Sequence, residues 1–368
     1  MKKPIFIRRK IDTKIQQYLK LPEILAIVGP RQAGKTTYLQ NLIKEKEGLF
    51  LTFEDIDVLN LFNTNIKEFA KIYIDKHKLI CIDEFQYAKQ GGKQLKYLFD
   101  TYKGKKIIVS GYSAIDMTVH AIKYLVGRVI VVNFWPLDID ELKSVFVKFK
   151  GSELYDYYST FGGYPRVAIA ESDEERRLIL KNIYNTYFLR EVKDVLGIVD
   201  ESIIQKILIH LAQSVGSQNN YANIANDCGV SERDVKKYLD FMSKTFITHI
   251  VRPYHNNKIT EIVKQPKIYF YDNGFLNHIL GFRENKGKIL EQSIVMESIK
   301  RNFDIKYWRD KSGNEMDFIL SIDSNVFCAI EAKSGNKTGR SFAVFKSRYP
   351  GIRIVILDKS NYLEFYNK

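Results

Sequence analysis

Eight consecutive residues, Gly29-Pro30-Arg31-Gln32-Ala33-Gly34-Lys35-Thr36, fit the pattern G-x-x-x-x-G-K-[ST]. A loop of this kind cradles nucleotide phosphates. Its glycines let main-chain N–H groups approach the anion, and the helix that follows turns its positive dipole end toward it. The surroundings suit that chemistry: Ile24 to Val28 reads as a buried strand and Lys35 to Lys46 as a helix. Lys35 is placed to reach the β- and γ-phosphates and Thr36 to ligate Mg²⁺. The stretch Gly29 to Thr37 is the candidate ATP-binding set. A second apolar run, Leu79 to Ile82, ends in Asp83-Glu84. A buried strand would deliver that pair to the carboxyl edge of a parallel sheet, beside the loop. Asp83 is expected to hold the Mg²⁺ shell, and Glu84 to orient and deprotonate an attacking water.

Two more residues join this set. Ser110 ends the apolar run Lys106 to Val109 and is a candidate sensor of the γ-phosphate. Arg128 precedes the run Val129 to Phe134. It is the candidate to neutralise charge in the transition state, in its own subunit or on a neighbour in a homo-oligomer.

The last eighty or so residues hold another constellation. Glu291 lies on an expected helix, Lys288 to Arg301. Asp317 begins an expected strand, and Glu331-Ala332-Lys333 follows after a hairpin. Glu331 and Lys333, two apart on a strand, share a face. With Asp317 from the neighbouring strand they form a candidate cluster in the D-x(n)-E-x-K layout of metal-dependent nucleases. Its carboxylates would take Mg²⁺ or Mn²⁺ through oxygen, and its lysine would polarise the water. Glu291 is a helix-borne helper. Taken alone, Glu-x-Lys is also what an exposed strand shows by simple alternation.

The elements that must position these groups can be read from periodicity. Residues 5–20 suggest an amphipathic helix. Strands 24–28, 49–53, 79–83, 106–110 and 129–134 alternate with helices, the pattern of a parallel sheet covered on both faces. Residues 138–200 look like a helical lid, broken at Gly162-Gly163-Tyr164-Pro165. Helices at Ile203–Val215, Tyr221–Asp227 and Glu232–Lys244, then strands 246–253 and 267–271, match a winged helix. Arg233, Lys236 and Lys237, with a hairpin tip of His255, Asn256, Asn257 and Lys258, would face a phosphate backbone. The expected division is 1–137 for an ATPase core, 138–200 for the lid, 201–282 for the winged helix and 283–368 for a nuclease-like domain.

Composition narrows the partners. The chain has 368 residues and a formal net charge of +14, which points to a polyanion, DNA before a membrane surface. The three cysteines have no metal-ligand spacing, so neither a zinc site nor a disulfide framework is expected. The basic start, Met1 to Lys10, lacks the apolar core of a signal peptide, and no apolar run is long enough to span a bilayer. A cytoplasmic protein is expected.

The phrases GPRQAGKTT, LICIDEFQ, LVGRV, GGYP, PKIYFYDNG and GNEMDFIL…AIEAKSG, in that order, resemble a family of archaeal and bacterial AAA-superfamily ATPases. That resemblance covers nearly the whole chain. It implies an α/β fold: a P-loop parallel sheet of the signal-transducing (STAND-like) branch, a winged helix, then a PD-(D/E)XK restriction-endonuclease-like domain. It implies nucleotide roles for Gly29, Gly34, Lys35, Thr36, Asp83 and Glu84, and nuclease-like roles for Glu291, Asp317, Glu331 and Lys333. After the fourth strand this chain has Ser-Gly-Tyr-Ser where related chains often carry Gly-Ser-Ser. The reading is a Mg²⁺-dependent ATP-hydrolysing switch associated with DNA. Its alternative is an ATP-gated docking protein whose nuclease-like domain does not cut.

Overall fold

In the computed structural model the described residues are 6–112, 124–187, 201–255, 261, 264–282, 286–333 and 339–366. Two compact units result: Met1–Pro136 with Lys244–Phe246, and Leu137–Ser243 with Ile247–Lys368.

The first unit is built on a five-stranded parallel sheet. Strands β1 (Ile24–Val28), β2 (Leu49–Thr52), β3 (Leu79–Asp83), β4 (Lys106–Gly111) and β5 (Val129–Asn133) lie in the order β2-β3-β4-β1-β5. β1 is buried along its whole length, as a central strand covered on both faces must be. Leu25, Ile27 and Ile108 from the sheet pack with Leu39 and Leu42 of helix Lys35–Glu45 and with Phe134. The expected helix over 5–20 is shorter, Asp12–Tyr18. Residues 6–9 do not join it, and Arg9 is instead buried against main-chain carbonyls. Ile15 anchors the short helix in the core.

The second unit combines helices with a six-stranded mixed sheet. Strands β6 (Thr248–Pro253), β7 (Lys267–Phe270), β8 (Asp304–Arg309), β9 (Glu315–Ile322), β10 (Asn325–Ala332) and β11 (Ile354–Leu357) run in the order β11-β10-β9-β8-β6-β7. The antiparallel pair β6–β7 continues through a parallel pairing of β6 with β8, so one sheet takes strands from both sides of residue 282. Helices Glu201–Gln213, Tyr221–Cys228 and Glu232–Lys244 precede it. Gly229, with φ of 72°, makes the turn between the last two. Arg233, Lys236 and Lys237 are exposed on the third. Of the expected hairpin tip, Asn256, Asn257 and Lys258 lie outside the described residues.

Buried carboxylates hold the helices of this unit together. Asp272 accepts from the Gly163 N–H at 2.7 Å and caps helix Asn273–Ile279 through the Phe275 N–H at 3.2 Å. Gly162 stands at φ 72°, and a Cβ there would collide with the Asp272 carboxylate. Glu297, fully buried on helix Lys286–Lys300, accepts from Tyr158 Oη at 2.8 Å and from Arg301 Nε at 2.7 Å. A buried charge persists only with such partners. The GGYP and YDNG phrases therefore meet at one structural joint. Gly162→Ala should lower the stability of this unit by about 2–4 kcal/mol, from left-handed strain plus the collision. A denaturation midpoint followed by circular dichroism checks it.

Candidate functional site

The phosphate-loop sequence leaves β1 at its carboxyl end and enters helix Lys35–Glu45. Two positions need backbone freedom for different reasons. Gly34 has φ of 94°, which an L side chain resists. At Gly29 the constraint is contact, because a Cβ would strike the Phe134 carbonyl, and the Phe134 N–H already donates to Val28 O at 2.6 Å. Lys35 is buried, and its Nζ donates to the carbonyls of Gly29 at 2.7 Å and Pro30 at 2.8 Å. The ammonium thus sits inside the curl of the loop. Arg31 stacks its guanidinium 3.8 Å over the ring of Tyr112, at the end of β4. Gln32 is left-handed at φ 58°, and Thr37 is exposed in the first helical turn.

Strand order brings the acidic pair to this loop. β4 lies between β1 and β3, and all three run parallel, so their carboxyl ends share one edge. Asp83, only 2% exposed, accepts from Thr36 Oγ1 at 2.7 Å on one carboxylate oxygen. Its other oxygen accepts from Ser110 Oγ. Glu84 adopts φ 54°, a left-handed backbone costing about 1–2 kcal/mol outside glycine. Its carboxylate accepts from Gln86 Nε2. Burial raises its pKa and the Asp83 charge adds to that, against the Gln86 hydrogen bond and the charges of Lys35 and Arg31.

Ser110 and Arg128 differ from expectation. Ser110 is fully buried, so it meets a nucleotide only through Asp83, as the residue that orients that carboxylate. Arg128 sits at the opposite, amino edge of the sheet. Its carbonyl accepts from the Ile24 N–H, and its guanidinium pairs with Asp100 at 3.0 Å. The five residues of β1 put about 16 Å between that edge and the loop, so Arg128 does not reach the phosphates bound by its own chain. Three contributors escaped the sequence reading. Gln86 was in view within the acidic phrase. Arg9 and Phe134 carry no motif: Arg9 sits in the basic run Arg8-Arg9-Lys10 and Phe134 beside Trp135.

Loop and acids suit Mg²⁺ and ATP by their donor chemistry. A threonine hydroxyl and a carboxylate lie within hydrogen-bonding distance, the spacing of two groups that share one hard cation's shell.

In the second unit, Asp317 and Glu331 stand where β9 and β10 part. The register ends at Ile330 opposite Phe318, while β10 continues with β11. Asp317 accepts from the Ala332 N–H at 2.8 Å, replacing the ladder bond lost at the fork. Glu331 pairs with Lys333 Nζ at 3.0 Å. Glu291 accepts from Tyr269 Oη at 3.0 Å. Lys267 on β7, which sequence reasoning passed over, is buried and pairs with Glu315. Burial, then the charges of Glu291 and Glu331, push the Asp317 carboxyl up to about 7. Burial likewise raises Glu291, against Lys267 and Tyr269. The expected residues share a neighbourhood, yet among the described residues no group of three His, Cys, Asp or Glu side chains is set to hold a metal ion. Each of the three carboxylates has one oxygen on a protein donor: Asp317 on the Ala332 N–H, Glu331 on Lys333 and Glu291 on Tyr269.

Residues 21–143 match the model of a family described as an AAA domain. That region holds the phosphate loop, the acidic pair and all five strands of the first sheet. Residues 152–286 match a domain of unknown function (DUF8612), and residues 286–367 another (DUF4143). An uncharacterized protein of Methanocaldococcus jannaschii is 26% identical over 348 residues, covering 87% of this chain and 76% of its own. One of Haemophilus influenzae is 24% identical over 346 residues, covering 87% and 84%. Among solved structures, a Walker-type ATPase of Pyrococcus abyssi aligns at 15% identity over 76% of this chain and 97% of its own, with a TM-score of 0.49. No helix among the described residues is long and apolar enough to cross a membrane.

The raised carboxyl of Asp317 has a stability consequence. Below about pH 4 it is protonated folded and unfolded, so Asp317→Asn changes little. Between about pH 4 and 7 only the unfolded state ionises, and the wild type loses stability relative to the variant. In EDTA at pH 8, Asp317→Asn should be the more stable by on the order of 2–4 kcal/mol. Urea unfolding of both proteins at pH 4 and pH 8 tests the sign.

Proposed function

We propose that the protein is a Mg²⁺-dependent ATP hydrolase that acts as a nucleotide switch on DNA. The observation that carries the hydrolase part is the chain Thr36–Asp83–Ser110, with Glu84 beside it and Lys35 inside the loop. Bound Mg²⁺ supplies charge neutralisation at the phosphates. Thr36 and Asp83 would hold its shell, with Ser110 fixing the carboxylate. Lys35 and the loop amides bind and orient the triphosphate. Glu84, its carboxylate steadied by Gln86, accepts the proton of the attacking water. Arg128, paired with Asp100 on the far edge of the sheet, is assigned to a neighbouring subunit's nucleotide in a homo-oligomer.

The DNA part rests on the net charge of +14 and on exposed Arg233, Lys236 and Lys237. The second unit has two readings. As a nuclease it would cut with Mg²⁺ or Mn²⁺ through Asp317, Glu331 and Lys333. As a docking domain it would only bind. The Lys333–Glu331 pair and the Asp317–Ala332 contact are compatible with either reading, and cleavage decides between them.

Lys35→Ala should weaken ATP binding at least tenfold, and Glu84→Gln should cut phosphate release by about 10²–10⁴-fold while keeping ATP bound. Turnover equal to wild type in Glu84→Gln removes the proposed base. Because Glu84 works ionised and its pKa is raised, kcat should fall as pH drops, with an acid limb above the ordinary glutamate value of 4.5. A plasmid incubated with either metal, with and without ATP, separates the readings of the second unit: cleavage abolished by Asp317→Ala would establish the nuclease.

A further inference from the structure

Arg9 stands outside every motif, yet it is 7% exposed and holds two main-chain carbonyls. Its Nη1 donates to Ala33 O at 3.0 Å and its Nη2 to Trp135 O at 2.6 Å. The guanidinium plane lies 4.3 Å over the ring of Phe134. Ala33 belongs to the phosphate loop, and the Phe134 carbonyl is the group packed on Gly29. One side chain therefore grips the loop and also the strap that leaves β5.

In a planar trans peptide, C=O and N–H point in opposite directions. Fixing the Ala33 carbonyl on Arg9 aims the Gly34 N–H away from Arg9. That amide lies at the N-cap of helix Lys35–Glu45, where an anion is met by main-chain N–H groups. Only a planar fork with several donors can hold two carbonyls and stack on a ring at once. The neighbouring contacts keep the fork in register: Tyr38 packs on Phe134 with ring centroids 5.3 Å apart and donates its hydroxyl to Asp12 at 2.6 Å.

We infer that Arg9 is a positioning residue for the nucleotide: by anchoring the Ala33 carbonyl and the Phe134–Trp135 strap, it orients the Ala33–Gly34 peptide toward the phosphates. The inference rests on the ATP-binding reading of Gly29 to Thr37. Arg9 touches no substrate itself, and its effect falls on binding more than on the chemical step.

The test uses the full chain, a fluorescent ATP analogue with Mg²⁺, and the variants Arg9→Met, Arg9→Lys and Lys35→Ala. Folding is checked first by circular dichroism without nucleotide. Arg9→Met should raise the Kd for ATP and for ADP by a similar factor, about ten- to a hundredfold, the worth of a misaligned amide–phosphate bond. KM should rise while kcat stays within about threefold. Arg9→Lys, which can reach one carbonyl but cannot hold both, should restore thermal stability more than affinity. A role in folding alone would lower the thermal midpoint and leave Kd unchanged, and that result overturns the inference. So does a folded Arg9→Lys with wild-type affinity, and so does failure of both variants to fold. Loss of binding in Lys35→Ala with no change in the Arg9 variants rejects Arg9 and keeps the ATP site. No binding by the wild type rejects the ATP site itself.

Discussion

The carboxylate of Asp83 is sealed from water, and that fact organises the first unit. A buried anion without partners would cost several kcal/mol or lose its charge. Here the partners come from separate elements, Thr36 from the helix after β1 and Ser110 from the end of β4. The arrangement closes only because β4 is inserted between β1 and β3 and all three strands point the same way. The hydroxyl of Thr36 is thereby held at the Asp83 carboxylate, and Glu84 follows directly on a left-handed turn. The local contacts of Asp83 and the sheet topology are one constraint seen at two scales.

The second unit uses the same device for a different end. Asp272 and Glu297 are buried and fully supplied with donors, and they fasten helices to one another. Asp317 and Glu291 are half-buried; burial raises both, with the charges of Glu291 and Glu331 adding to it at Asp317 and that of Glu315 at Glu291. Lys267, arriving from the β6–β7 hairpin, links that pair to a part of the chain that periodicity assigned to another module.

Much of the first unit was legible. The run Ile24–Val28 announced a buried strand because all five positions are apolar, and Lys35–Glu45 followed as a helix within one residue of expectation. Third-helix periodicity placed Glu232–Lys244 to the residue. The start of the chain was less legible. Amphipathic spacing over 5–20 said helix, but the burial of Arg9 against carbonyls outweighs the few tenths of a kcal/mol that propensity offers per residue. In the last third, β11 and the fork between β9 and β10 had no signature, since a strand's partners are chosen by residues far away in the chain.

The sequence by itself determined the phosphate loop, the acidic pair and the helix that follows, because those depend on spacing within a few residues and on side-chain chemistry that does not change with context. Only the tertiary structure decided which groups meet. Strand direction sends Arg128 to the edge away from the loop, strand order buries Ser110 behind Asp83, and a close backbone approach makes Phe134 the reason for Gly29. Contacts between distant segments are set by how layers pack, and packing leaves no local pattern in the order of residues.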